Sequence, residues 1–157
     1  MEFVTQILEP LGGKILRPSD WYYREGHRGP VFMWTLSEQD SSKPYMTGVR
    51  IQLFTEIMKG TGKTARQFIL DIKTSKAQEA SKVIETCHEE DHGLFMRTCL
   101  EVNEGPNHLR YAFFWHKSSD DIAIVAIYGT SRELWTKYLP IFDKMALFEL
   151  IDVKRFE

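Results

Sequence analysis

From Leu94 to Tyr128 the chain is patterned almost throughout with a period of two, and this narrows the possible folds more than any other feature. Leu94, Met96, Thr98, Leu100 and Val102 recur at every second position. That spacing puts them on one face of a strand. Two further β-prone runs, Leu109 to Lys117 and Ile122 to Tyr128, flank Ser118-Ser119-Asp120-Asp121, a tetrapeptide of turn formers. The second run is apolar on both faces, as a central strand covered on both sides must be. Upstream, Val49, Ile51 and Leu53 alternate with Arg50 and Gln52 in a strand read from Val49 to Ile57. Trp21 to Glu25 and Val31 to Leu36 read as a hairpin turning through Gly26-His27-Arg28-Gly29-Pro30. The polar stretch Ser37 to Pro44 reads as a surface loop.

Three segments carry the helical period instead. Phe3, Val4, Ile7 and Leu8, closed by Pro10 and Gly12-Gly13, predict a short opening helix within residues 1–11. Thr64 and Gln67 permit a capping box ahead of the stripe Ala65, Phe68, Ile69 and Ile72. Thr130 and Glu133 repeat that box before Leu134, Trp135, Tyr138, Leu139, Phe142, Met145 and Ala146. Pro140 lies inside this last pattern, so a kink or two abutting helices is expected there. Ser75 to His92 fits a helix in its first half and a strand at Val83 to His88. A hairpin turning at Asp91-His92-Gly93 would pair that strand with the next. The fold class is therefore α+β around an antiparallel sheet.

Composition removes several alternatives. At 157 residues, with 43% hydrophobic and 27% charged residues, the chain reads as a single globular domain over 1–157. A chain of this size buries roughly 68–70% of its unfolded surface, so it needs no disulfide or metal to fold. The formal charge of -2 and the scattered basic residues offer no groove for nucleic acid. The longest apolar run has seven residues, Ile122 to Tyr128, against the ~20 needed to span a bilayer as a helix. No membrane segment is expected. The N-terminus, Met1-Glu2-Phe3-Val4, lacks the pattern of a signal peptide, which suggests a cytoplasmic location. Cys87 and Cys99 are too few for a disulfide framework and read as reduced, semi-buried thiols.

Two strings imitate catalytic motifs. His88-Glu89-Glu90-Asp91-His92 has the H-E-x-x-H spacing that sets two histidines one helical turn apart around zinc. Its charged middle positions and the following Gly93 favour a solvated turn. Gly60-Thr61-Gly62-Lys63-Thr64 resembles a phosphate loop, but Ile57 stands where the pattern needs its first glycine. A plain connection into a helix explains the same residues. No nucleophile elbow is present. The expectation is a non-catalytic domain with no cofactor and no resident metal.

The aromatic triplets Trp21-Tyr22-Tyr23 and Phe113-Phe114-Trp115 are unusual. Alternation along a strand buries at least half of each. The remainder of the first triplet, beside Arg24, His27 and Arg28, suits a binding surface, since aromatic residues and arginine dominate interface hot spots.

Pro18-Ser19-Asp20-Trp21 ahead of a hairpin resembles the Pro-x-x-Trp opening of the PsbP-like fold. The order of strand, helix, hairpin and closing helix is similar from Leu11 to Ile151. That superfamily includes the extrinsic PsbP protein of photosystem II, a Ran-binding nuclear import factor and bacterial proteins of unknown role. The resemblance implies a central antiparallel sheet between helical layers, an α/β/α sandwich, and a role in binding a protein partner or in assembly. The contact residues expected are Trp21, Tyr23, Arg24, His27 and Arg28. Self-association through exposed aromatics is a further possibility. The alternative function is a small-ligand carrier or a zinc-dependent hydrolase using His88 and His92.

Overall fold

A computed structural model describes residues 1–40 and 46–149. Of the surface loop expected over Ser37 to Pro44, Ser37 is instead a buried strand residue, and residues 41–44 lie outside the described residues.

The first element is a strand, not the helix expected within 1–11. β1 (Phe3–Leu8) pairs antiparallel with β2 (Gly13–Pro18), Leu8 opposite Gly13 and Phe3 opposite Pro18. Phe3, Val4, Ile7 and Leu8 satisfy the helical spacing, but the partner strand decides the matter. Val4, Thr5 and Ile7 are β-branched and stiff at χ1, and pairing satisfies their backbone while Leu8 reaches the core. The tertiary context overrides the local pattern.

The main sheet has eight strands. β3 (Tyr22–Arg28), β4 (Val31–Ser37), β5 (Gly48–Phe54), β6 (Lys82–Thr86), β7 (Glu90–His92), β8 (Phe95–Glu104), β9 (Asn107–His116) and β10 (Ala123–Ser131) all pair antiparallel. Their order is β3-β4-β5-β10-β9-β8-β6, with β7 also on β8. β10 lies between β5 and β9, where its two-faced apolar run predicts a central strand. Its Ile124, Ala126 and Tyr128 enter one core, and its Ala123 and Val125 the other. Gly48 allows close approach to the neighbouring strand: a Cβ there would lie 2.7 Å from the Leu36 carbonyl oxygen.

β5 ends at Phe54, short of the predicted Ile57. Glu56 takes a left-handed conformation (φ 52°) and opens the short helix α1 (Ile57–Thr61). α2 (Ala65–Glu79) starts with the predicted capping box. The Thr64 hydroxyl accepts from the Gln67 amide at 3.1 Å, and the Gln67 side chain accepts from the Thr64 amide at 3.1 Å. The ambiguous stretch resolves into both forms, helix to Glu79 and strand from Lys82.

The second predicted capping box is absent. The Thr130 hydroxyl instead meets the Thr47 hydroxyl at 2.7 Å, linking β10 to the residue before β5. One turn of 3₁₀ helix, Arg132–Leu134, leads into α3 (Trp135–Met145). α3 runs through Pro140 as one element; this residue is exposed, so its missing amide donor falls on the wet side of the helix.

α2 covers β8, β9 and β10 on one side. α3 and the β1–β2 hairpin cover the other, packing Leu8, Ile15, Trp135, Tyr138, Phe142 and Met145 on the sheet. The architecture is an α+β sandwich about a central antiparallel sheet, as expected.

The reduced thiols are overturned. Cys87 and Cys99 form a disulfide with their Cα atoms 4.9 Å apart, inside the range that a bridge needs. Pairing of β6 and β7 with β8 brings them together, and the Cys87 amide donates to the Cys99 carbonyl at 3.2 Å. That proximity is a product of strand register, which the spacing of two cysteines does not reveal.

Candidate functional site: the open end of the sheet

β3 is one edge of the sheet, and the pairing registers show which side chains share each face. Trp34 and Leu36 of β4 enter the core under α3, and the register aligns Glu25 with Trp34 and Tyr23 with Leu36. Trp21, Tyr23, Glu25 and His27 therefore belong to that face. Tyr22, Arg24, Gly26 and Arg28 belong to the opposite one.

The five residues expected to form one contact surface are thus divided. Trp21 is 4% exposed and packs edge-to-face on Phe142 at 6.4 Å, as a core residue. Tyr23 is half-buried; its hydroxyl accepts from the Glu9 amide at 3.1 Å and donates to Glu25 at 2.7 Å. Burial first, then the neighbouring Glu25 carboxylate, push its ionisation well above the ordinary tyrosine range. Tyr23 thereby ties the β1–β2 turn to β3. His27 is exposed and lies over Phe32, ring centroids 4.5 Å apart.

Arg24 and Arg28 remain together. Both are exposed, and neither makes an ion pair with any described residue. Four residues apart on one strand face, they stand about 13 Å from each other. Gly26 lies between them, and a Cβ built on it would touch nothing within 4 Å.

The register extends this surface across the sheet. Arg24 aligns with Thr35 and then Arg50; Gly26 aligns with Met33 and then Gln52. α2 stops short of these rows, its nearest ring contact being Phe68 on Phe54 at 5.0 Å. Tyr22 is 49% exposed, and Met33, Thr35 and Gln52 are half-buried. The result is an open half-sheet, part apolar and part cationic.

A second polar group was not anticipated. Glu101, 9% exposed, accepts from Arg110 Nε at 2.8 Å and meets His108 Nε2 at 3.0 Å. Arg110 also donates to Asp143 of α3 at 3.2 Å. The His108 ring stacks on Trp135 at 3.7 Å, and the Arg110 guanidinium stands over the same indole at 5.4 Å. A buried carboxylate of this kind needs its partners, and here they clamp β8 and β9 to α3. The signal for it is the dipeptide Gly105-Pro106: a two-residue turn there sets Glu101 opposite Arg110 and Asn103 opposite His108.

The H-E-x-x-H string is not helical. His92 lies in β7 with its ring 5.2 Å from Phe114, and Glu89 pairs with Arg66 at 2.8 Å. Without a helical turn, the two histidines lose the spacing that the zinc motif requires. Among the described residues, no three His, Cys, Asp or Glu side chains are grouped to hold a metal ion. A groove of about 540 Å³ runs between α2 and β6, lined by Leu70, Ala77, Val83, Thr86 and Leu100. Lys73 also borders it, but its ammonium is engaged by Thr98 at 2.7 Å and the Cys87 carbonyl at 3.1 Å. Burial lowers the Lys73 pKa from its ordinary value.

No protein-family model matches the sequence, and neither does any curated protein. Solved structures do match. The cyanobacterial PsbP protein of Synechocystis aligns over 94% of this chain and 92% of its own, with a TM-score of 0.56 at 13% identity. The Ran-binding protein Mog1p of Saccharomyces cerevisiae aligns over 100% of both chains, with a TM-score of 0.53 at 11% identity. Identities this low speak for the fold alone, and the fold agrees in both along nearly the whole length. The chain has the PsbP-like fold.

Proposed function

We propose that this protein is a non-catalytic binding module that engages a protein partner through the open half-sheet at β3, β4 and β5. The observation that carries this reading is the pair Arg24 and Arg28, exposed on a bare sheet face and without an ion pair to any described residue. A cation left unpaired beside exposed apolar side chains is suited to a partner that supplies the acid. One structural neighbour, Mog1p, is a Ran-binding protein, which supports a protein-binding role on this fold.

The test uses immobilised protein and cell extract. Arg24→Ala with Arg28→Ala is expected to lose a specific captured protein while keeping the unfolding midpoint. Arg132→Ala, an exposed arginine on the helical side, is expected to capture as the unaltered protein does. Identical capture by all three proteins would refute the assignment.

A further inference from the structure

The backbone geometry of β3 supports a more specific statement, which rests on the reading above. Gly29-Pro30 is a two-residue hairpin loop, with Gly29 at φ 57° and Arg28 paired to Val31. Residues flanking such a loop must exchange both of their hydrogen bonds. Alternation then turns the amides and carbonyls of Arg28, Gly26, Arg24 and Tyr22 toward β4. Those of Tyr23, Glu25 and His27 point out of the sheet.

The opposite edge differs. β6 breaks register between Val83 and Glu85 and is stitched to β8 by the disulfide just beyond its end. A bulge of that kind blunts an edge against pairing. β3 has no such interruption: its seven residues pair with β4 without a shift. Of the two ends of the sheet, it is the regular one.

We infer that β3 accepts an extended acidic segment of a partner protein as an added strand, read as acid, any residue, large apolar residue, any residue, acid. On the outer side, Arg24, Gly26 and Arg28 occupy the non-hydrogen-bonded positions, where facing side chains approach most closely. Two acids four residues apart meet the two arginines. A large side chain between them covers Gly26, which offers only open space. A second copy of this chain fits poorly. Antiparallel pairing of β3 with itself about Arg24, Glu25 or Gly26 sets Arg24 against Arg24, Glu25 against Glu25, or Arg24 against Arg28. Like charges placed opposite each other destabilise a strand pair.

The probe is a capped synthetic peptide with two glutamates four positions apart, tyrosine midway and threonine elsewhere. The control has lysine for each glutamate. Amide NMR of the full chain with millimolar peptide is expected to slow exchange at Tyr23, Glu25 and His27 by at least about tenfold. The lysine peptide is expected not to bind. Arg24→Ala with Arg28→Ala should weaken the acidic peptide by about fivefold or more. Glu25→Pro removes an outward donor that no ladder bond uses, so the domain should fold and lose the peptide. Should that variant fail to fold, a peptide N-methylated on alternate amides carries the same test.

Equal binding of both peptides, or unprotected β3 amides, overturns the inference. Loss of binding in the arginine variant with full binding by Glu25→Pro and by the N-methylated peptide overturns strand addition and leaves the arginine surface standing. Unchanged binding in every variant removes both. A dimer in sedimentation that Glu25→Pro dissociates would assign the edge to a second copy and overturn the peptide reading.

Discussion

Tyr128 shows how much one side chain can reveal about its neighbours. It is fully buried on the face under α3, and its hydroxyl meets no donor or acceptor among the described residues. Burial pushes its ionisation far above the ordinary tyrosine value. A buried polar atom without a partner costs about 1–3 kcal/mol. Tyr128→Phe is therefore expected to leave urea-induced unfolding unchanged or to stabilise the fold by up to about 1 kcal/mol. A loss of stability larger than that would show that the hydroxyl is bonded. Glu101, two strands away, is the reverse case: both its oxygens are engaged, so its removal takes a partner from His108 and leaves Arg110 with Asp143 as its acid. Neither residue is conspicuous in the sequence. Tyr128 sits in an apolar run and Glu101 in an alternating one, and only strand register shows what each faces.

At the scale of elements, the sequence is informative where a segment's own period agrees with its surroundings. β8, β9 and β10 were legible from alternation and from the turn formers at Ser118–Asp121, and α2 from its capping box. β1 was not, because Phe3, Val4, Ile7 and Leu8 fit either period and a partner strand selected between them. The disulfide was invisible for a related reason: Cys87 and Cys99 meet through pairing across a turn, 12 residues apart in sequence. Closing a loop of that size stabilises a fold by about 3 kcal/mol in the chain-entropy account. Replacing both cysteines with serine is expected to lower the thermal midpoint by roughly 6–12 °C. Hydrogen exchange should accelerate in β6 and β7 and stay slow in β10. Acceleration spread evenly over the sheet would mean that the bridge holds the whole fold and not one edge. The layout of the β3 hairpin was half legible. The arginines and the hairpin stood out, but the face on which each side chain lies followed from β4, so Trp21 and Tyr23 turned out to be structural.

For the whole molecule, the tyrosines set an alkaline limit. Burial, and after it the contact with Glu38, push Tyr138 up to about 12. Burial drives Tyr23, Tyr111 and Tyr128 higher still. In the unfolded chain each would ionise near the ordinary value of about 10. The folded state thus holds protons that the unfolded state releases. Stability is fully present below pH ~10 and falls as the pH rises toward about 12. Denaturation midpoints across that range should decline steadily, and a flat profile would show that these hydroxyls are wet. The two unequal ends of the sheet have a further consequence. An eight-stranded sheet with two regular ends could recruit copies at both and grow without limit, the route to a fibre. Here a bulge blunts one end, so docking at β3 as proposed would consume the one uninterrupted end among the described residues. Association by that route would stop after a single addition, so strand pairing there would not make the molecule a monomer unit of a polymer.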